Sequence, residues 1–154
     1  MKILITGGAG YIGYSLVERL MKSDLPIEQI KIYDSLTRNN FNFFIQHKFS
    51  DKPLEFIRGE ILDSRRLQQA LKGVDVVFHL AAAGNPNWVF NNPTEAEIIN
   101  VEGAKNVFEY CSAFGARVFF MSSIEVFNGQ EPIYSEQSPT CPLNLYGKQK
   151  AEVE

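Results

Sequence analysis

The sequence is poor in the features that mark several common classes of protein. It has two cysteines among 154 residues, Cys111 and Cys141, without the spacing of a metal site or the density of a secreted disulfide scaffold. No apolar run reaches the roughly 18 residues that a membrane span needs. The first apolar run meets glycine too early for a signal peptide. We therefore expect a protein of a reducing compartment, the cytoplasm, with no metal and no membrane segment.

Charge of one sign is also scarce. The 15 basic and 18 acidic residues give a net charge of −3, and neither sign is gathered into a block. Nucleic-acid binding needs clustered lysine and arginine, so no nucleic-acid partner is expected. The hydrophobic fraction of 45% is that of an ordinary globular protein, and the length suits one domain with its own core.

Short apolar runs alternate with longer amphipathic stretches. The predicted strands are residues 2–6, 30–33, 54–58, 74–81 and 117–121, and the predicted helices are residues 11–21, 64–72, 92–115 and a last one from about 143. Residues 35–51 are rich in phenylalanine and predict a further helix of uneven period. Alternation of this kind, with a fourth strand apolar enough to be covered on both faces, predicts an α/β fold. We expect a doubly wound, mostly parallel Rossmann sheet with strand order 3-2-1-4-5.

Three glycines follow the first predicted strand and open the first predicted helix. Gly7, Gly10 and Gly13 lie in the run from Thr6 to Gly13. At a strand–helix junction, such glycines permit a tight turn, close approach of the backbone to a pyrophosphate, and close packing of helix on strand. An ordinary glycine turn is the alternative, but the position of the motif favours a dinucleotide site.

Asp34 ends the second predicted strand, about twenty residues after the glycines. A carboxylate at this place accepts hydrogen bonds from the adenosine ribose hydroxyls and repels a 2′-phosphate, so NAD is favoured over NADP. Arg38 keeps NADP open, because a guanidinium can bind that phosphate. An aspartate that merely caps a helix or a turn is the other interpretation.

Tyr146 and Lys150 are four residues apart on the last predicted helix and therefore share one face. An ammonium beside a phenol stabilises its ionised form and can hydrogen-bond a cofactor ribose, which would make Tyr146 a general acid/base. Ser123 lies at the carboxyl end of the fifth predicted strand, just after residue 121, at the edge where open α/β sheets bind ligands. Its hydroxyl could hydrogen-bond the substrate oxygen. A solvated helix contact and a plain strand-end serine are the alternatives for these two motifs.

Together these motifs resemble those of extended short-chain dehydrogenases/reductases, the NAD-dependent epimerase/dehydratase group that mostly acts on nucleotide sugars. The resemblance covers the whole chain. It rests on residues 6–13, Asp34, residues 79–82, Asn100, residues 122–123, and Tyr146 with Lys150. It implies a Rossmann fold, NAD as cofactor and a nucleotide sugar as substrate.

The resemblance also implies a role for each matching residue. The pyrophosphate would be bound by Gly7, Gly10, Tyr11, Ile12 and Gly13. Asp34 would bind the adenosine ribose, and the rest of the cofactor site would be Glu60, Ile61, Leu80, Ala81, Ala82 and Asn100. Tyr146 would be the acid/base, Lys150 its electrostatic partner, and Ser123 the third catalytic residue.

Some positions depart from the family pattern. Glu60 stands where the family has aspartate, and Gly84 where UDP-galactose 4-epimerases carry lysine. The triplet Ser123-Ile124-Glu125 resembles the Thr-Asp-Glu or Thr-Ser-Glu of sugar-nucleotide dehydratases and decarboxylases, so Glu125 could be their base or a solvated loop carboxylate. Ile124 cannot supply the acid of that triplet, so a glucose 4,6-dehydratase of this kind is not expected. Residues 126–129 and 142–148 resemble dTDP-4-dehydrorhamnose reductases.

We therefore expect an NAD-dependent sugar-nucleotide epimerase/dehydratase that transfers hydride at a sugar carbon. A 4-keto-sugar-nucleotide reductase is one alternative, and a non-catalytic dinucleotide-binding regulatory subunit is another. Residues 1–154 are expected to form the NAD(P)-binding Rossmann domain. Because the sequence reaches Glu154 inside a predicted helix, before any sixth strand, we expect an N-terminal fragment. It would lack the C-terminal substrate lobe, be inactive alone, and form a homodimer when complete.

Overall fold

The computed structural model describes residues 1–41, 53–127, 129–131 and 133–154. Among these residues, five parallel strands form one sheet in the order β3-β2-β1-β4-β5. The strands are β1 (Lys2–Thr6), β2 (Gln29–Asp34), β3 (Leu54–Arg58), β4 (Val76–His79) and β5 (Arg117–Phe120). The α/β fold and the strand order are confirmed, and every strand lies where the sequence predicts one.

The helices of the described residues follow the prediction in part. They are α1 (Tyr11–Met21), α2 (Ser64–Leu71), α3 (Pro86–Asn91), α4 (Pro93–Glu97), α5 (Gly103–Phe114) and α6 (Leu145–Val153). The helix predicted over residues 92–115 contains a π-helical segment (Ile98–Glu102) between α4 and α5, and α3 and a 3₁₀ turn (Ile124–Val126) were not predicted.

The further helix predicted over residues 35–51 is wrong for residues 35–41, which form loop and turn, and residues 42–51 lie outside the described residues. Across the described part of the chain, no helix has both the length and the apolar character to cross a membrane.

The chain forms two compact units. The first comprises residues 1–81 and 106–120 and contains the sheet with α1 and α2. The second comprises residues 82–105 and 121–154 and contains α3, α4, the π-helical segment, the 3₁₀ turn and α6. Helix α5 begins in the second unit and ends in the first.

The core of the first unit is built from β-branched strand residues. Ile3 and Ile5 of β1 and Ile30 and Ile32 of β2 are at most 1% exposed and pack with Val17 of α1. Such side chains suit a sheet covered on both faces, and each contributes about 1.5–3 kcal/mol by burial. Because the strands are parallel, their carboxyl ends meet at one edge of the sheet, where the first half of the candidate site lies.

Candidate functional site

The glycine-rich turn joins β1 to α1. Gly7 has a φ of +69°, and a Cβ on it would lie 2.6 Å from the backbone nitrogen of Ala81. A Cβ on Gly13 would lie 2.5 Å from the Cα of Gly8. The fold itself therefore requires glycine at positions 7 and 13. Gly10 differs, since a Cβ there would approach one atom, the carbonyl oxygen of Gly7 at 3.0 Å, and its φ of −72° suits any residue.

The missing side chain at Gly10 leaves the start of α1 open. Gly10 is the N-cap of this helix and makes no side-chain cap hydrogen bond. The first amides of a helix have no intrahelical acceptor, and the helix dipole places partial positive charge there. Tyr11 is 88% exposed and Ile12 is 49% exposed, so this end is accessible. Backbone donors without a Cβ in front of them fit an anionic group such as a pyrophosphate.

Asp34 lies beside this turn at the end of β2. Its Oδ2 accepts a hydrogen bond from the amide of Ala9 at 3.0 Å, and its Oδ1 accepts one from the amide of Leu36 at 2.8 Å. Leu36 has a φ of 62°, a left-handed conformation that few non-glycine residues adopt. A carboxylate has about four acceptor sites. The turn and the strand end thus fix the Asp34 carboxylate and leave it acceptor capacity for ribose hydroxyls.

The loop after β3 is held by Tyr33 from β2. The Tyr33 hydroxyl donates to the carbonyl oxygen of Glu60 at 2.8 Å. Its ring lies against Gly59, where a Cβ would be 2.4 Å from Cζ of the ring. Burial raises the pKa of Tyr33 to about 12, so the hydroxyl remains a donor at neutral pH. Nδ2 of Asn106 donates to the carbonyl of Ile61 at 3.5 Å. These contacts hold the backbone of Glu60 and Ile61, two of the residues predicted to belong to the cofactor site.

Leu80 and Ala81 follow β4 and are tied to the end of β1. The Leu80 amide donates to the carbonyl of Thr6 at 3.0 Å, and the Ala81 amide donates to Thr6 Oγ1 at 3.4 Å. Thr6 Oγ1 also lies 2.7 Å from Nδ1 of His79, and both side chains are buried. His79 is therefore a hydrogen-bonded core residue, and Leu80 and Ala81 lie beside the glycine turn.

In the second unit, Ser123 and Glu125 share the 3₁₀ turn. Ser123 is the N-cap of that turn, and its Oγ accepts a hydrogen bond from the amide of Glu125 at 3.2 Å. The Glu125 carboxylate accepts a hydrogen bond from Nδ2 of Asn144 at 2.5 Å. Asn144 is in turn the N-cap of α6, with its Oδ1 accepting from the amide of Gly147 at 2.8 Å. A continuous chain of hydrogen bonds therefore joins Ser123 to the start of α6.

Helix α6 packs on the 3₁₀ turn backbone to backbone. A Cβ on Gly147 would lie 2.1 Å from the carbonyl oxygen of Glu125 and 3.0 Å from Cβ of Pro142. A separation of 2.1 Å between a carbon and an oxygen that are not bonded is too short for any side chain to be accommodated at position 147. Gly147 directly follows Tyr146, so the close contact fixes the helix at the residue next to the predicted acid/base.

Tyr146 and Lys150 lie together on α6. Lys150 Nζ is 5.8 Å from the centroid of the Tyr146 ring and donates to the carbonyl of Met121 at 2.7 Å. Lys150 is only 4% exposed. Burial lowers its pKa to about 8, and the nearby carboxylate of Glu154 opposes this shift. A buried cation next to a phenol is the arrangement that the sequence predicts for acid/base chemistry.

Asn100 lies in the π-helical segment within a buried polar network. Its Oδ1 accepts from the amide of Ala83 at 2.8 Å, and its Nδ2 donates to Oε1 of Gln149 at 2.8 Å. Nε2 of Gln149 donates to Oε2 of Glu97 at 3.0 Å. Gln149 is 1% exposed and Asn100 is 4% exposed, so each side chain needs these partners. The network holds α6 against the π-helical segment and the residue after Ala82.

The two units divide the predicted site residues between them. The first unit contains Gly7, Gly10, Tyr11, Ile12, Gly13, Asp34, Glu60, Ile61, Leu80 and Ala81, and the second contains Ala82, Asn100, Ser123, Glu125, Tyr146 and Lys150. Within the first unit the structure brings Asp34 to the glycine turn. Within the second it places Tyr146 beside Lys150.

Three residues that hold α6 in place within the second unit were not assigned a role in the sequence analysis above. These are Asn144, Gly147 and Gln149. Asn144 had a detectable signal, because an asparagine directly before a predicted helix is a favoured N-cap. The contacts of Gly147 and Gln149 join segments distant in sequence and had none.

Comparisons with known proteins give one family model and several relatives that match nearly the whole chain. The model of the NAD dependent epimerase/dehydratase family matches residues 3–154. Over 155 residues the chain is 30% identical to methionine adenosyltransferase 2 subunit beta of Bos taurus, covering 99% of the chain and 41% of that protein. Over 157 residues it is 32% identical to the uncharacterized UDP-glucose epimerase YtcB of Bacillus subtilis, covering 97% of the chain and 48% of that protein.

A solved structure is similar in fold as well as in sequence. DesIV, a dTDP-glucose 4,6-dehydratase from Streptomyces venezuelae with NAD and TYD bound, superposes with a TM-score of 0.89 at 30% identity. The match covers 99% of this chain and 49% of that chain. The chain thus spans less than half the length of each of these three proteins.

Proposed function

We propose a function for this chain from the family to which it belongs, the NAD dependent epimerase/dehydratase family. The chain binds NAD and supplies the acid/base residues of an oxidoreductase that acts on a sugar nucleotide. The observation that carries this proposal is the buried Lys150 ammonium beside Tyr146, on a helix fixed to the turn that holds Ser123. Residues 1–154 are its NAD-binding Rossmann domain, and homodimer formation and cytoplasmic location belong to the same proposal.

The residues of the first unit fit NAD. The amides at the start of α1, in front of which Gly10 places no side chain, would bind the pyrophosphate. The Asp34 carboxylate would accept the adenosine ribose hydroxyls. Glu60 and Ile61 would flank the adenine, and Leu80 and Ala81 would line the cofactor. Bound NAD supplies a nicotinamide that accepts a hydride from a sugar carbon. DesIV, whose structure is similar, was solved with NAD bound.

The residues of the second unit then carry out the proton transfer. The Tyr146 phenolate takes the proton of a sugar hydroxyl as the carbon beneath it is oxidised to a ketone. The Lys150 ammonium, held by the Met121 carbonyl, stabilises that phenolate and can hydrogen-bond a ribose hydroxyl. The Ser123 hydroxyl donates to the same sugar oxygen. Tyr146 returns the proton when the ketone is reduced.

Substitution of Tyr146 tests the acid/base role. In the complete protein, Tyr146→Phe is expected to retain NAD binding and to lower kcat by about 10²–10⁴-fold, because the phenol transfers the proton. The measurement is turnover of UDP- and dTDP-hexoses with NAD, followed by product chromatography. Tyr110→Phe, which removes a hydroxyl from α5, is the control. Full turnover by Tyr146→Phe would exclude the role.

The cofactor preference tests Asp34. Fluorescence titration is expected to show tighter binding of NADH than of NADPH, because the carboxylate repels a 2′-phosphate. Asp34→Asn is expected to narrow the difference. If the protein binds NADPH more tightly, Asp34 does not have this role and Arg38 becomes the candidate contact.

A second candidate is a dinucleotide-binding regulatory subunit. The similarity to methionine adenosyltransferase 2 subunit beta, a protein named as a subunit, favours it. It predicts NAD binding without turnover of any nucleotide sugar, and no effect of Tyr146→Phe on the activity of a partner enzyme. The turnover assay above separates the two candidates.

A further inference from the structure

We infer that Glu125 is a positioning residue that holds the start of α6, and with it Tyr146, through Asn144, and that it is not the base of an elimination. The inference rests on the proposed function, because the position of Tyr146 affects turnover only if Tyr146 transfers the proton. It narrows that function to reactions in which the sugar keeps its hydroxyl groups, such as epimerisation or reduction of a ketone.

The side chain of Glu125 is engaged with a helix cap. Its Oε2 accepts a hydrogen bond from Nδ2 of Asn144 at 2.5 Å. The other end of the same amide group, Oδ1 of Asn144, accepts from the amide of Gly147 at 2.8 Å. An amide group is rigid and planar, so anchoring its nitrogen on Glu125 orients its oxygen toward the helix. Glu125 thereby sets the geometry of the cap.

The backbone of Glu125 serves the same junction. Its amide donates to Oγ of Ser123 at 3.2 Å. Its carbonyl oxygen packs so closely against Gly147 that any side chain at position 147 would clash with it. One residue therefore contacts Ser123 through its amide and α6 through both its carbonyl and its carboxylate. The spacing between Ser123 and Tyr146, two of the three proposed catalytic side chains, depends on it.

Elimination of water needs a base to take a proton and an acid to protonate the leaving hydroxyl. The Glu125 carboxylate is bound to Asn144, and its neighbour Ile124, which is 69% exposed, has no proton to give. The turn therefore lacks the acid that would work with Glu125. The chemistry that Tyr146, Lys150 and Ser123 support is oxidation and reduction at a carbon bearing a hydroxyl.

Two substitutions of Glu125 separate positioning from base catalysis in the complete protein. Glu125→Gln keeps an oxygen that accepts from Asn144 but cannot take a proton. Glu125→Ala removes both functions. We expect kcat of Glu125→Ala to fall about 10²-fold, the effect of a displacement of about 1 Å, with KM for the sugar nucleotide little changed. Glu125→Gln should restore most of that loss, and Glu136→Ala, which removes an exposed loop carboxylate, should match the wild type.

A second readout does not depend on turnover. Hydrogen exchange of the Gly147 amide is expected to accelerate in Glu125→Ala, because the Asn144 cap loses its anchor, and to stay near the wild-type rate in Glu125→Gln. If Glu125→Ala does not fold, Asn144→Asp tests the same link, since it keeps a capping oxygen and turns the Glu125 contact repulsive. That variant should also lose kcat.

The outcomes are distinguishable. Equal loss of kcat in Glu125→Gln and Glu125→Ala would overturn the inference, and so would unchanged Gly147 exchange in Glu125→Ala. Absence of turnover in the wild-type protein would instead refute the proposed function, and the exchange rates would still decide whether Glu125 holds the cap.

Discussion

Replacement of Gly147 by alanine provides a direct test of how α6 is held. The added methyl group would lie 2.1 Å from the carbonyl oxygen of Glu125 and 3.0 Å from Cβ of Pro142. The methyl group is attached directly to the helix backbone, and the oxygen it would meet belongs to the backbone of Glu125. No flexible side chain can therefore move aside to relieve this contact. The helix must therefore shift as a whole, carrying Tyr146 with it.

The size of the effect follows from these distances. Carbon and oxygen atoms in contact stay above about 3 Å apart, so the helix must move by about 1 Å near residue 147. Overpacking of this kind costs about 1–3 kcal/mol of the free energy of unfolding. A displacement of about 1 Å at a catalytic group lowers turnover by about 10²-fold. We expect Gly147→Ala to show both losses.

The measurement compares Gly147→Ala with Lys148→Ala in the complete protein. Lys148 is the next residue on α6 and is exposed, so its substitution controls for a change of sequence without a clash. Urea denaturation gives the free energy of unfolding, and steady-state kinetics gives kcat. If Gly147→Ala has wild-type stability and kcat, then α6 does not pack on Glu125 as described and the reasoning is refuted.

Three further predictions concern the pKa of Lys150, the glycine turn and Gln149. Because the Lys150 pKa is about 8 in the folded state against 10.5 unfolded, the unfolded state binds more protons between these values. The free energy of unfolding should therefore rise by up to about 3 kcal/mol from pH 8 to 10.5, and a pH series on Lys150→Met should lack this rise. Gly10→Ala should weaken NADH binding at least about tenfold, or 1.4 kcal/mol, at nearly wild-type stability. Gly13→Ala should instead lower the free energy of unfolding by about 1–3 kcal/mol. If fluorescence titration and urea denaturation show the same losses for both variants, the two glycines do not differ in this way. Gln149→Leu should cost about 1–3 kcal/mol in urea denaturation by leaving buried polar partners unpaired, and an unchanged midpoint would show that they bind elsewhere.

The fold was largely predictable because its signals are local. Runs such as residues 2–6 and 54–58 are short, apolar and bounded by turn residues, and they form β1 and β3. The regular alternation of such runs with amphipathic stretches allowed the doubly wound sheet to be predicted. Helix α3 was missed because six residues are too few for a periodic pattern. Its only signal in the sequence was an asparagine followed by proline, Asn85 and Pro86. In the structure Asn85 is the N-cap and accepts a hydrogen bond from the amide of Trp88 at 3.1 Å.

The candidate site was predictable where it depends on spacing within one element. Tyr146 and Lys150 share a face because residues four apart on a helix do so. The contacts of Asn144 with Glu125 and of Gln149 with Asn100 span 19 and 49 residues. A single sequence does not indicate which distant side chains meet, so the network that supports the site emerged only from the structure.

The π-helical segment makes the polar network sensitive to chain length. Glu97 lies immediately before it and Asn100 lies within it, three residues apart, and both reach Gln149. Deleting Ile99 would leave them two residues apart, a spacing at which helical side chains point away from each other. Loss of one residue from the π-helical segment would thus separate α6 from that segment while leaving Tyr146 and Lys150 unchanged.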